Sequence, residues 1–229
     1  MTDSVCVVMA GATGAVGTRA LQHLLADHVH VKRVTSLVRR PSAIGHARLV
    51  SAVVDFRSPS AISLAVPEDA TVAVCCLGTT MKAAGSKEAF RAVDFDAVVS
   101  FARAARDRGA TRLILVTSAG AKASSASFYL RTKGEAEDAV STIDFAAVCL
   151  LRPSILDDEG ARGGSRPAEG VGLTVMRGIA RVIGTTHRWA PISVDSVGRA
   201  IARLAVEASL PSRVNVFESD AIHHLAMVG

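Results

Sequence analysis

An α/β fold, a doubly wound parallel sheet with helices on both faces and a small C-terminal cap, is predicted by three observations. Val5 to Ala10 is an unbroken apolar, β-favouring run near the start of the chain, as expected of a strand buried on both faces. Gly11, Gly14 and Gly17 follow at three-residue steps, and helical sequence runs on to Asp27. Further apolar runs, Val31–Val38, Arg48–Val54, Thr71–Leu77, Arg112–Thr117 and Phe145–Leu151, then alternate with helical stretches, the pattern of successive βαβ units. The 229 residues suit a single domain, 1–229.

Composition narrows the class. Hydrophobic residues reach 49% but aromatics only 4%, which suits tightly packed layers of small side chains. No apolar run approaches the roughly 20 residues that span a bilayer, and no basic-then-apolar leader opens the chain. A cytoplasmic protein with no membrane partner is the expectation. Cys6, Cys75, Cys76 and Cys149 all lie in apolar runs without metal-ligand spacing, so they read as buried thiols and no metal site is expected. The net charge of +5 comes from scattered arginines without interleaved aromatics, so no nucleic-acid partner is expected. An anionic small ligand accounts for some of that charge.

The glycine stretch identifies the kind of anion. A strand, a glycine turn and a helix N-terminus together form a pyrophosphate site, with unpaired amides and the positive end of the helix dipole facing the anion. Gly11, Thr13, Gly14, Ala15, Val16 and Gly17 are the candidate phosphate-binding residues; the alternative is a ligand-free structural turn. Their GxxGxxG spacing departs from the standard dinucleotide GxGxxG. The second strand ends in Arg39-Arg40, where an acid would select NAD and an arginine accommodates the 2′-phosphate of NADP. NADP(H) over NAD(H) is therefore expected, although a pair of solvated loop arginines is the plainer alternative. The third strand closes on Asp55-Phe56, where Asp55 could also cap the helix Pro59 to Leu64. Gly78, at the end of the fourth strand before Thr79, leaves room for the nicotinamide half.

Ser86 to Arg108 reads as a long amphipathic helix, with Arg103, Arg106 and Arg108 forming a solvated basic end before Gly109. Ser118 stands at the carboxyl end of the fifth strand. Tyr129 and Lys133, four apart at the start of a helix from about Ser127 to Val140, share one face. The residue types fit carbonyl reduction. A phenol beside the developing alkoxide donates the proton, a neighbouring ammonium lowers the phenol's otherwise high pKa, and a serine hydroxyl polarises the carbonyl. Ser118, Tyr129 and Lys133 are the candidate catalytic residues, and Tyr129 is the chain's sole tyrosine. The alternative is an interfacial tyrosine beside a surface lysine.

These residues, with Cys76-Leu77-Gly78-Thr79-Thr80, Val93-Asp94, Ser118 to Ser125, Tyr129-Leu130-x-x-Lys133-Gly134-Glu135 and Leu151-Arg152-Pro153, resemble the atypical short-chain dehydrogenase/reductases. The likeness is nearest to the TIP30/CC3 (HIV Tat-interacting protein) type and its bacterial relatives, and it covers almost the whole chain. It implies a Rossmann domain binding NADPH with Ser118, Tyr129 and Lys133 in the catalytic positions. It further implies Asp55 at the adenine edge and Leu77, Gly78, Pro153 and Ile155 beside the nicotinamide. The chain departs from the wider superfamily where an asparagine relays protons to the lysine: Val93-Asp94-Phe95-Asp96 stands there.

The remaining chain is expected to supply a small substrate-side cap, residues 157–229. Residues 157–172 read as a polar loop, either a lid or a disordered insertion, and Leu173 to Ile183 as helix. A helix Ser196 to Glu207 capped by Ser193 or Asp195, a strand Arg213 to Phe217 and a closing helix from Asp220 to Met227 follow. Trp189 reads as a core anchor, with a place at the substrate pocket as the alternative, and His223 and His224 as surface or packing residues rather than a metal-binding pair. So short a C-terminal part favours a small carbonyl substrate over a nucleotide sugar. The expected function is an NADPH-dependent oxidoreductase, monomeric or homodimeric. The alternatives are an NADPH-sensing regulatory protein without turnover and, more weakly, an isomerase holding NAD.

Overall fold

Hydroxyl side chains set most helix starts, and glycines or extended residues set most ends. The computed structural model describes residues 4–41, 44–157 and 189–228. It begins with β1 (Val5–Ala10), α1 (Ala15–Ala26), β2 (Val31–Val38), β3 (Leu49–Val53), α2 (Pro59–Ala65) and β4 (Val72–Cys75). Short helices α3 (Met81–Ala84) and α4 (Lys87–Arg91) lead into a π-helical segment, Ala92–Ala97, and α5 (Val98–Asp107). Then come β5 (Arg112–Val116), α6 (Phe128–Ser141), β6 (Ala147–Arg152), β7 (Leu156–Asp157), β8 (Ile192–Ser193), α7 (Val194–Val206), β9 (Val214–Glu218) and α8 (Ser219–Met227). Ser58, Thr80, Ser86, Ser127 and Ser193 cap their helices by accepting an amide hydrogen bond three residues on.

Seven strands form one parallel sheet in the order β3-β2-β1-β4-β5-β6-β9. Strand order reverses between β1 and β4, and in such sheets ligands bind beyond the carboxyl ends at that crevice. Alternate residues of β1 face opposite layers. Val7 and Met9 pack with α1, α7 and Ile222 of α8, whereas Val8 and Ala10 pack with α2, α5 and α6. Gly198 lets α7 lie directly on α1, because a Cβ there would fall 2.7 Å from Arg19 Cβ.

Several expectations are corrected. Ser58, not Asp55, caps α2; Asp55 instead accepts from Arg57 through both carboxylate oxygens. Arg106 and Arg108 are not simply solvated, since they engage Asp144 and Glu68. Trp189 is no core anchor, with 44% of its surface exposed. Of the segment expected as a cap, β9 is the seventh strand of the main sheet and α7 covers the sheet beside α1. The expected loop to residue 172 and helix 173–183 fall outside the described residues, except that Asp157 pairs in a small second sheet, β7 with β8.

Candidate active site

The glycine stretch is shaped by close backbone approach. Gly11 has φ +86°, and a Cβ there would stand 2.5 Å from the Cys76 carbonyl carbon just past β4. A Cβ on Gly17 would lie 2.0 Å from the Gly11 carbonyl oxygen, so only glycine lets α1 pack on this turn. The Gly14 amide donates to Gly11 O at 3.1 Å, and Thr18 Oγ1 donates to Gly14 O at 2.8 Å. No side chain caps α1 and no acid occupies its first turn. Its first amides therefore have no intrahelical acceptor, and the helix end is electropositive. Cradle and charge fit the pyrophosphate of a dinucleotide.

The glycine loop leads by direct contact to the lysine. Gly11 abuts Cys76, and Gly78 is two residues on; a Cβ at Gly78 would lie 3.3 Å from Lys133 Nζ. Lys133 is itself buried and pairs with Asp94, with Nζ 2.7 Å from Oδ1. The other oxygen of Asp94 accepts the Thr79 amide at 2.9 Å. Burial alone would lower the Lys133 pKa, but the Asp94 carboxylate and Tyr129 outweigh it and hold it above the ordinary lysine value. Burial raises the Asp94 pKa, while Lys133 and the Thr79 amide oppose that rise.

Tyr129 sits one turn before Lys133, half-buried, its ring 5.5 Å from that of Phe90. Gly134, next to Lys133, lets the loop after β5 lie against α6, since a Cβ there would fall 2.2 Å from the Lys122 carbonyl carbon. That loop is further tied to β6 by the Ala119 amide donating to Pro153 O at 2.9 Å. Ser118, half-buried at its start, donates to Ala119 O at 3.4 Å, a long bond that a carbonyl ligand could replace.

The outlying candidates fall around this edge of the sheet. Arg39 and Arg40 are exposed immediately beyond β2. Asp55 is exposed and engaged by Arg57, and Phe56 is half-buried. Leu77 and Thr79 follow β4, while Pro153 is buried and Ile155 half-buried beyond β6. Thr13 is exposed on the glycine loop and Val16 is buried behind it. The thiols of Cys75 and Cys149 are pushed up to about 12 by burial, so both stay protonated. Among the described residues no cluster of His, Cys, Asp and Glu can hold a metal.

Two groups of residues escape a reading of the sequence. Asp94 reaches the lysine because the π-helical segment wraps one extra residue and turns it inward, a distortion common at functional sites. Glu137, one turn beyond Lys133 and 3% exposed, accepts from Thr117 Oγ1 at 2.5 Å and from Arg152 through both oxygens. Arg152 also approaches Glu218 at 3.6 Å, so this network joins α6 to the ends of β5, β6 and β9. The available signal for Glu137 was its place on the Tyr129–Lys133 face of α6.

Residues 11–208 match a family profile described as NAD(P)H-binding. The chain belongs to this NAD(P)H-binding family. Protein fmp52, mitochondrial, of Aspergillus niger is 34% identical over 212 residues, covering 88% of this chain and 87% of the relative. Protein FMP52, mitochondrial, of Candida albicans is 30% identical over 229 residues, covering 94% and 96%. Among solved structures, the Bordetella bronchiseptica enzyme WbmG in complex with NAD matches with TM-score 0.68 at 17% identity, over 94% of this chain and 73% of that one. A short chain dehydrogenase from Burkholderia cenocepacia J2315 in complex with NADP matches with TM-score 0.64 at 15% identity, over 96% and 91%. These neighbours show the Rossmann-type fold of NAD(P)-dependent dehydrogenases for the NAD(P)H-binding chain.

The expectation of a cytoplasmic protein is corrected by the fungal relatives, whose names place them in mitochondria. Among the described residues no helix is long and apolar enough to cross a membrane. Composition and the lack of a spanning run do not report an organelle, which is why they misled.

Proposed function

We propose that the chain is an NADPH-dependent oxidoreductase of the atypical short-chain type, acting on a small carbonyl compound. The observation that carries this reading is the run of contacts from Gly11 through Cys76 and Gly78 to Lys133, on the face of α6 that also bears Tyr129. The amides around Gly14 would hold the pyrophosphate, and Arg39 and Arg40 the 2′-phosphate. Leu77, Gly78, Pro153 and Ile155 would border the nicotinamide, and Lys133 its ribose. When bound, the reduced nicotinamide supplies a hydride to the carbonyl carbon. Ser118 then hydrogen-bonds the carbonyl oxygen as charge gathers there, and Tyr129 passes its phenolic proton to that oxygen.

Replacing Tyr129 with Phe should lower cofactor oxidation across a panel of aldehydes, ketones and quinones by about a hundredfold or more. NADPH binding should survive, and NADPH should stabilise the protein against heat more than NADH does. Turnover by the variant at the wild-type rate removes Tyr129 from the role. Stabilisation by NADPH with no oxidation across the panel would instead support a dinucleotide sensor.

A further inference from the structure

Among the described residues the buried charged side chains are Asp94, Lys133 and Glu137. Glu137 is explained by Arg152 and Thr117. Asp94 has a different consequence, because its partner is the ammonium on which the phenol of Tyr129 depends. A lone ammonium would favour phenolate, the form that removes a proton from an alcohol; a neutral phenol is the form that gives one to a carbonyl. A carboxylate 2.7 Å from Nζ turns the single positive charge into an ion pair, whose field falls off faster with distance.

We propose that Asp94 is a positioning residue that holds the ammonium of Lys133 in a charge-compensated pair, so that Lys133 promotes ionisation of the Tyr129 phenol less than a lone ammonium would. The inference rests on the proton-donor reading of Tyr129, but its test needs neither substrate nor cofactor. The groups acting on Lys133 are Asp94 from the π-helical segment, Tyr129 from α6 and the neutral Cys75 thiol from β4. The charged groups on adjoining elements are engaged elsewhere, Arg91 of α4 by Glu135 and Arg152 of β6 by Glu137. α5 contributes apolar side chains to this layer. Asp94 is also fixed from behind by the Thr79 amide, so it cannot swing away from the lysine without giving up that bond.

Because the chain has a single tyrosine, the ultraviolet absorbance of tyrosinate in the folded protein reports Tyr129 alone. Asp94→Asn is isosteric and can still accept the Thr79 amide. Its tyrosinate absorbance should rise at lower pH than in the parent protein, by about one pH unit. In the double variant Asp94→Asn, Lys133→Met the midpoint should lie close to that of the parent protein and above that of Asp94→Asn alone, because the ammonium that Asp94→Asn exposes is gone. An unmoved midpoint in folded Asp94→Asn overturns the proposal, as does an equal shift in the double variant, since a purely structural Asp94 predicts one or the other. Should Asp94→Asn fail to fold, Asp94→Ser, which also removes the carboxylate charge, takes its place, and an unmoved midpoint in that folded variant overturns the proposal. An NADPH titration separates this from the functional reading. Absent dinucleotide binding with the tyrosinate shift intact sinks only the oxidoreductase assignment, whereas binding with no shift sinks only the role of Asp94.

Discussion

The two halves of the parallel sheet treat charge in opposite ways. Beyond β1 and β2 the candidate site is mainly backbone, a glycine turn and an uncapped helix end beside the exposed Arg39 and Arg40, with no buried ionised side chain among the described residues; Thr35 and Ser36 of β2 are the buried polar residues there. Beyond β4, β5 and β6 the site is side chain, with Asp94, Lys133 and Glu137 buried and held in two ionic networks. The difference fits the tasks proposed for the two halves. Main-chain dipoles suffice to hold a diphosphate whose charge never changes. Moving a proton needs a group whose charge does change, and its setting depends on nearby ions.

The largest effect is expected where the backbone half is tightest. Gly17→Ala would place a carbon on the Gly11 carbonyl oxygen, and it should destabilise the protein by about 3 kcal/mol or more and remove NADPH binding. Thermal denaturation with a parallel NADPH titration measures both, and a variant with parent stability and affinity breaks the contrast at its root. In the side-chain half, Glu137→Gln keeps hydrogen-bonding capacity but leaves Arg152 without its main counter-charge. A loss of about 2 kcal/mol in denaturant unfolding is expected, with dinucleotide affinity little changed. Coupled loss of affinity would show that the halves are not separable.

The smallest effect lies at the far edge, away from both networks. Burial would raise the Asp27 pKa, but amide and ring hydrogen bonds from His30 and the Val29 amide hold it below the ordinary aspartate value. A carboxyl depressed on folding stabilises above its unfolded value, near pH 4, and loses that contribution as pH falls through the lower folded value. Asp27→Asn should therefore flatten the decline of stability below about pH 4 while leaving NADPH binding unchanged. An acid limb identical to that of the parent protein removes Asp27 from this role.

Much of this was legible in the residues. The apolar runs at Val5–Ala10 and Val31–Val38 coincide with β1 and β2, and the glycines at 11 and 17 stand where a Cβ would collide with backbone. The serine-ended fifth strand and the four-residue step from Tyr129 to Lys133 are likewise local patterns, and both lie where they were expected. Asp94 was legible as part of the Val93-Asp94 motif and as a missing asparagine but not as the partner of Lys133, because α-helical spacing does not foretell the extra residue that turns it inward. Trp189 was misplaced because hydrophobicity alone does not say whether a ring lies inside or beside the Gly120 turn it contacts.

The amino-acid sequence by itself determined the strand–helix alternation, the glycine turn before α1 and the pairing of a phenol with a lysine on one helix face. These depend on periodicity and on steric exclusion within a few residues. Only the tertiary structure decided which carboxylate meets that lysine and how Glu137 binds α6 to the ends of three strands. Ion pairs between residues 15 and 39 positions apart leave no periodic trace, and their strength depends on the burial that folding creates.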